Sequence, residues 1–180
     1  MRIGVLVLAF GLSVGAAFAT EPEPLDQLFE KLAKAESAET AVVLEARIWE
    51  EWLKSGSPSV DLIMTRGLNA IQEEDFDTAL EFFTAASEIR PDFAEAWNKR
   101  ATVNYLKGDY DKALIAIGRA LKIEPRHFAA LTGLGRILES YGEKAKALEA
   151  YRRALALDPH LEGVQESIDR LKVEVEGRGI

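Results

Sequence analysis

The sequence contains no cysteine. That excludes disulfide bridges, thiolate metal sites and a cysteine nucleophile, and it leaves no thiol to carry the acyl chain of a bacterial lipoprotein. Basic residues are in the minority, with 22 Lys and Arg against 30 Asp and Glu and a formal charge of -8. An acidic chain without a basic cluster repels phosphate backbones and anionic headgroups, which argues against nucleic acid and against an anionic membrane surface as partners. There is no Gly-rich phosphate loop, no HExxH and no nucleophile elbow. Carboxylates are plentiful but follow the polar faces of helices, where charge serves solubility. No constellation supports catalysis, a cofactor or a metal, and the chain reads as a non-enzyme.

What is present suits a folded domain: 48% apolar and 29% charged residues over 180 positions. The stretch "MRIGVLVLAFGLSVGAAFAT" stands apart, with one Arg, an apolar run from Ile3 and small residues ending in "AFA". It reads as a secretory signal peptide over residues 1–19, cleaved after Ala19, with no membrane attachment afterwards. As a retained anchor the run would be at the short limit for a bilayer, and Gly4, Gly11, Ser13 and Gly15 dilute it. The expected location is the periplasm.

The remainder repeats with a period of 34 residues: Pro91, Pro125 and Pro159 keep that step. So do Ala79, Ala113 and Ala147, and Ala86, Ala120 and Ala154. Gly67, Ala101 and Gly135 form a small series, and Phe83, Ile117 and Tyr151 a bulky one. Proline stops a helix, Asp75 and Asp109 are good N-caps, and Gly108 and Gly142 permit the turn before a second helix. Small residues let paired helices approach while a large partner fills the space beside them. Each unit is a helix hairpin that buries its apolar face by stacking on its neighbours.

"AEAWNKRATVNYLKGDYDKALIAIGRALKIEP" and "FAALTGLGRILESYGEKAKALEAYRRALALDP" resemble the tetratricopeptide repeat, through Trp97, Ala101, Gly108, Tyr110, Ala113 and Pro125 in the first and Leu131, Gly135, Gly142, Ala147, Tyr151 and Pro159 in the second. The pairing of "WNKRATVNYLKGDY" with "EPRHFAALTGLG" is similar to a group of short secreted bacterial proteins with this repeat. The resemblance implies an all-α fold, a right-handed α-solenoid with repeats at 59–91, 92–125 and 126–159. Residues 20–58 read as a degenerate helix pair covering the first repeat, with Trp49 and Trp52 sealing that end. Residues 160–180, with Leu161, Val164, Ile168, Leu171 and Val175 at helical spacing, read as a C-terminal cap helix and tail.

The resemblance further implies that the first helix of each repeat lines a concave groove for a protein or peptide segment. Carried over position by position, the groove takes Met64, Thr65, Leu68 and Ile71 from the first repeat. It takes Asn98, Lys99, Thr102 and Tyr105 from the second, and Thr132, Arg136 and Glu139 from the third. Lys99 and Tyr105, as surface residues, are expected to be replaceable without loss of fold. The clamp by which some relatives hold chaperone C-terminal carboxylates is absent, since Met64, Leu68, Ala129 and Gly133 stand at its positions and only Lys99 comes close. Trp97 is expected to be buried between its own hairpin and the preceding repeat. Arg66 and Arg100 replace the usual apolar residue on the packed side, so they either snorkel or pair with carboxylates, or else form an anion site. His127 and His160 sit at repeat junctions and read as exposed turn residues. Homo-oligomerisation through Trp49, Trp52 and the end faces is the alternative role.

Overall fold

The computed structural model describes residues 23–177. The signal-like run at 1–19 and its cleavage point lie outside them. Among the described residues there are nine helices and no strand: α1 (Leu25–Leu32), α2 (Ala38–Trp52), α3 (Pro58–Gln72), α4 (Phe76–Ile89), α5 (Ala94–Leu106), α6 (Tyr110–Ile123), α7 (Phe128–Ser140), α8 (Lys144–Leu157) and α9 (Val164–Glu176). Pro58 opens α3 at a position where its missing N–H has no partner to lose. Asp75 caps α4 by accepting from Thr78 N at 3.1 Å. Helices α4, α6 and α8 each stop two residues before the recurring proline. Gly108 and Gly142 turn the chain with φ of 79° and 74°; the same place in the first hairpin is held by Glu74 at φ 59°.

Three hairpins, α3–α4, α5–α6 and α7–α8, pack in series and α9 closes the end on Leu148 and Tyr151. The small and bulky series meet inside the hairpins. A Cβ at Gly67 would lie 2.6 Å from the Phe83 ring, and one at Gly135 would lie 2.4 Å from that of Tyr151. The middle hairpin reaches the same fit with Ala101 and Ile117, both buried in one cluster. A polar tie repeats as well: Lys107 pairs with Asp77, and Tyr141, 34 residues on, bonds Asp111.

Two expectations fail here. The N-terminal pair does not cover the first repeat with its apolar face. Leu28, Phe29, Leu32, Ala41, Leu44, Ile48 and Trp52 form a cluster with Phe128, flanked by Ala129 and Leu157 of the third repeat and by Leu161 just after it. The reason lies on α3. Where α5 presents Ala96 and Val103 to the preceding hairpin, and α7 presents Ala130 and Ile137, α3 carries Leu62, Arg66 and Asn69, all exposed. That face is too polar to bury an apolar stripe. The second correction concerns Trp97, which is only half-buried; it packs on the cluster of α5, α6 and α7, and its indole N–H donates to Pro91 O at 3.0 Å.

Candidate functional site

A cavity of about 390 Å³ lies between the first helices of the second and third hairpins. On α5, residues 98, 102 and 105 share one helix face, and Asn98, Lys99, Thr102 and Tyr105 form one wall. Thr132, Gly133 and Arg136 of α7 form the facing wall, with Phe128 and Ala129 at its start. The remaining sides come from outside the repeats proper: Glu45 and Trp49 of α2, and Leu161, Glu162 and Val164 before and at the start of α9. The Thr102 and Thr132 hydroxyls each donate to the carbonyl four residues back, Asn98 O and Phe128 O, both at 3.0 Å. Arg136 and Thr102 are exposed and Tyr105 is half-buried.

The other sequence-derived candidates lie elsewhere. Met64 is buried in the core of the first hairpin, and Leu68 and Ile71 pack against it. Thr65 is exposed on α3 and donates to Asp61 O at 2.9 Å. Glu139 accepts from the Tyr151 hydroxyl at 2.8 Å and pairs with Arg170 at 2.7 Å, which binds α7 to α8 and α9. Arg66 is exposed, whereas Arg100 is half-buried with its guanidinium 5.3 Å from the centre of the Trp97 ring. Neither lines the cavity. Beside Arg100, Asn104 is buried and donates to Arg100 O at 2.9 Å.

Sequence reasoning missed the buried base of this site. Glu95, with 0% exposure, receives Nδ2–H of Asn98 and faces His127 Nε2, both at 2.9 Å on Oε2. Its Oε1 meets the Lys99 ammonium at 3.0 Å, a charge contact rather than an aligned hydrogen bond. Burial pushes the Glu95 carboxyl up, but the bond from His127, the Lys99 charge and the bond from Asn98 together hold it below its usual value. His127 is not an exposed turn residue; it is fully buried. Its Nδ1 accepts from Ala130 N at 3.2 Å and caps α7, so Nε2 carries the proton that goes to Glu95. The 34-residue register aligns His127 with Phe93, buried in its own repeat, and that slot was the available signal. The Trp52 ring stacks on His127 at 4.1 Å and 13°, and Trp49 meets His127 edge-on at 5.7 Å.

The seam between the N-terminal pair and the repeats is otherwise polar. Arg126 pairs with Asp26 at 2.7 Å and lies 4.4 Å over Phe29. His160, expected in solvent, is half-buried and donates from Nε2 to Ala35 O at 2.8 Å. Glu45 lies against Asp158; burial first, then the Asp158 charge, push the Glu45 carboxyl up. Among the described residues no three His, Asp or Glu stand together as metal ligands, and no helix is long and apolar enough to cross a membrane.

Residues 92–160 match the profile of the family described as tetratricopeptide repeat. A TPR repeat-containing protein of Rhizobium etli is 40% identical over 124 residues, 69% of this chain and 61% of that protein. The chain thus spans about three fifths of that curated relative. Among solved structures, the Yersinia enterocolitica type III secretion chaperone SycD, in complex with a peptide of the translocator YopD, superposes with a TM-score of 0.62 at 15% identity, covering 66% of this chain and 95% of that one. The TPR2B domain of yeast Sti1, in an Hsp70 complex, has a TM-score of 0.60 at 19% identity, covering 67% and 98%. At these identities the structures show the fold.

Proposed function

We propose, from the tetratricopeptide-repeat match of residues 92–160, that the chain is an exported, non-catalytic scaffold of such repeats that binds protein segments between α5 and α7. The observation that carries this reading is the cavity itself: Tyr105, Thr132 and Arg136 face an open space on the first helices of two adjacent hairpins. Concave sites with apolar walls and a few polar groups are where ligands are held. Two neighbours of the same fold, SycD and the Sti1 domain, have a translocator peptide and Hsp70 as partners. The carboxylate clamp is not part of the proposal. Lys99, its one candidate cation, is committed to Glu95 at 3.0 Å. Export rests on the signal-like run at residues 1–19.

A photo-crosslinking side chain at Thr132 tests the reading in intact cells, with one at Glu88 on the outer helix α4 as the control. Adducts are expected from Thr132 and not from Glu88, and Tyr105→Ala should weaken them about tenfold, because aromatic anchors dominate such contacts. Equal labelling from both positions would remove the groove from consideration. Export is read separately, by finding the protein in the periplasmic fraction with its N-terminus at Thr20.

A further inference from the structure

We infer that α1–α2 is an exchangeable occupant of the repeat array, and that the segment which replaces it is an amphipathic helix carrying a lysine or arginine where α2 carries Glu45. This goes beyond the α5–α7 groove: α2 supplies one wall of that cavity, and the exchange concerns the seat of α2 on the start of α7, the end of α8 and the segment before α9. Helix α2 sits as a ligand would. Its apolar residues make a cluster of their own with α1, and they reach the repeats through Phe128, Ala129, Leu157 and Leu161, with Trp52 and Trp49 also against the His127 ring. The three clusters within the repeats and α9 contain no residue of α1 or α2. Departure of the pair therefore leaves those cores intact. The connection to α3 is residues 53–57, with Gly56 at φ 73°.

The seam is also poorly matched, and the mismatch has a sign. Asp158 is fully buried. Its Oδ1 accepts from His160 N at 3.0 Å, while Oδ2 has no donor. The side chain that α2 presents there is a second carboxylate, Glu45, which can serve Asp158 only when it carries a proton. The other charged groups around this junction are His160 beside both carboxylates, Glu39 one and a half turns back on α2, and Glu162 on the cavity wall. Glu45, Glu39 and Glu162 are all acidic, so no fixed positive charge answers Asp158. Trp52 Nε1, at the same seam, is buried without an acceptor. A buried carboxylate lacking a donor is costly, and a cation in hydrogen-bond reach relieves it. A helix with the aromatic and aliphatic stripe of α2 and a basic residue in the Glu45 register would satisfy Asp158 where the resident helix cannot. An amphipathic helix in a groove is an established recognition mode, and the acidic character of the chain favours a basic guest.

The test uses the full chain and two labelled peptides of residues 37–53, one native and one with Glu45→Lys. Trp52→Ala in the protein loosens the resident helix. Fluorescence anisotropy at neutral pH should show both peptides binding Trp52→Ala protein, the Glu45→Lys peptide about tenfold more tightly, with the preference lost in a Trp52→Ala/Asp158→Asn protein. Binding of neither peptide, or equal affinities, overturns the inference. A second variant guards against unfolding of Trp52→Ala. Glu45→Lys in the otherwise native chain should raise the melting temperature, because the resident helix itself gains the missing pair; an unchanged or lower melting temperature overturns the inference. If Thr132 crosslinks a partner while neither peptide binds, the groove stands and the exchange falls. If the Glu45→Lys peptide binds tightly and no crosslink forms, the exchange stands and the groove reading falls.

Discussion

Glu95 has no exposed surface, yet it is ionised and answers three neighbours: Asn98, Lys99 and His127. Removing one member of such a set leaves the others buried and unpaired, so Glu95→Ala should lower stability by about 3–5 kcal/mol in chemical denaturation. The pH dependence follows from its depressed carboxyl. Its contribution is present above the ordinary value of 4.5 and is lost as pH falls through the lower folded value. Glu95→Gln should therefore show a shallower loss of stability in acid than the native chain; parallel acid profiles would contradict the assignment. Lys99 belongs to this set, which corrects the expectation that Lys99 and Tyr105 can be replaced together without harm to the fold. Tyr105 and Arg136 are the pair to replace instead. Glu74 is a different case. It holds a left-handed conformation at the place where Gly108 and Gly142 serve the other hairpins. Glu74→Gly should stabilise the protein by about 1 kcal/mol, read as a higher denaturation midpoint. That strain was legible in the register alone, by aligning Glu74 with the two glycines. The burial of Glu95 was not, because its counterparts at that step are Asp61, a half-buried carboxylate held by Ser55, and Ala129, which carries no charge.

Each hairpin closes around one contact between a small residue and a large one, and the three copies are distinct solutions to the same spacing. Gly135 faces Tyr151 so closely that an added methyl must displace the ring. Gly135→Ala should cost about 1–3 kcal/mol. The middle hairpin already contains the compatible answer, Ala101 with Ile117. Gly135→Ala combined with Tyr151→Ile should recover part of the loss, less the bond from Tyr151 to Glu139. A double-mutant cycle reads this as a favourable coupling; strict additivity would mean that the two positions do not meet. These contacts were readable from periodicity because they recur at a fixed step within one hairpin. The cavity walls were only half readable. Asn98, Thr102, Tyr105, Thr132 and Arg136 follow from the face of a first helix, whereas Glu45, Trp49 and Leu161 come from segments outside the period.

The largest departure from the sequence reading concerns the ends of the molecule. The stripe of residues 25–53 announced a packed helix pair, but a stripe does not say what it packs on. The exclusion was present in Arg66 and Asn69, which leave α3 without an apolar face to offer; the destination, Phe128 and Leu161, lies far along the chain. An open stack of hairpins has contacts only between neighbours and unravels from either end. Here Asp26 joins Arg126 across 100 residues, and Ala35 joins His160 across 125. Such contacts raise the contact order and slow folding, because a long loop must close before they form. They also set a sequence of events during synthesis. The first helices to leave the ribosome are the last to find their place, since their seat is not complete until Leu161 has been made. Limited proteolysis of stalled nascent chains should therefore cut within α1–α2 when the exposed chain ends before residue 143, and spare it once residue 177 is out.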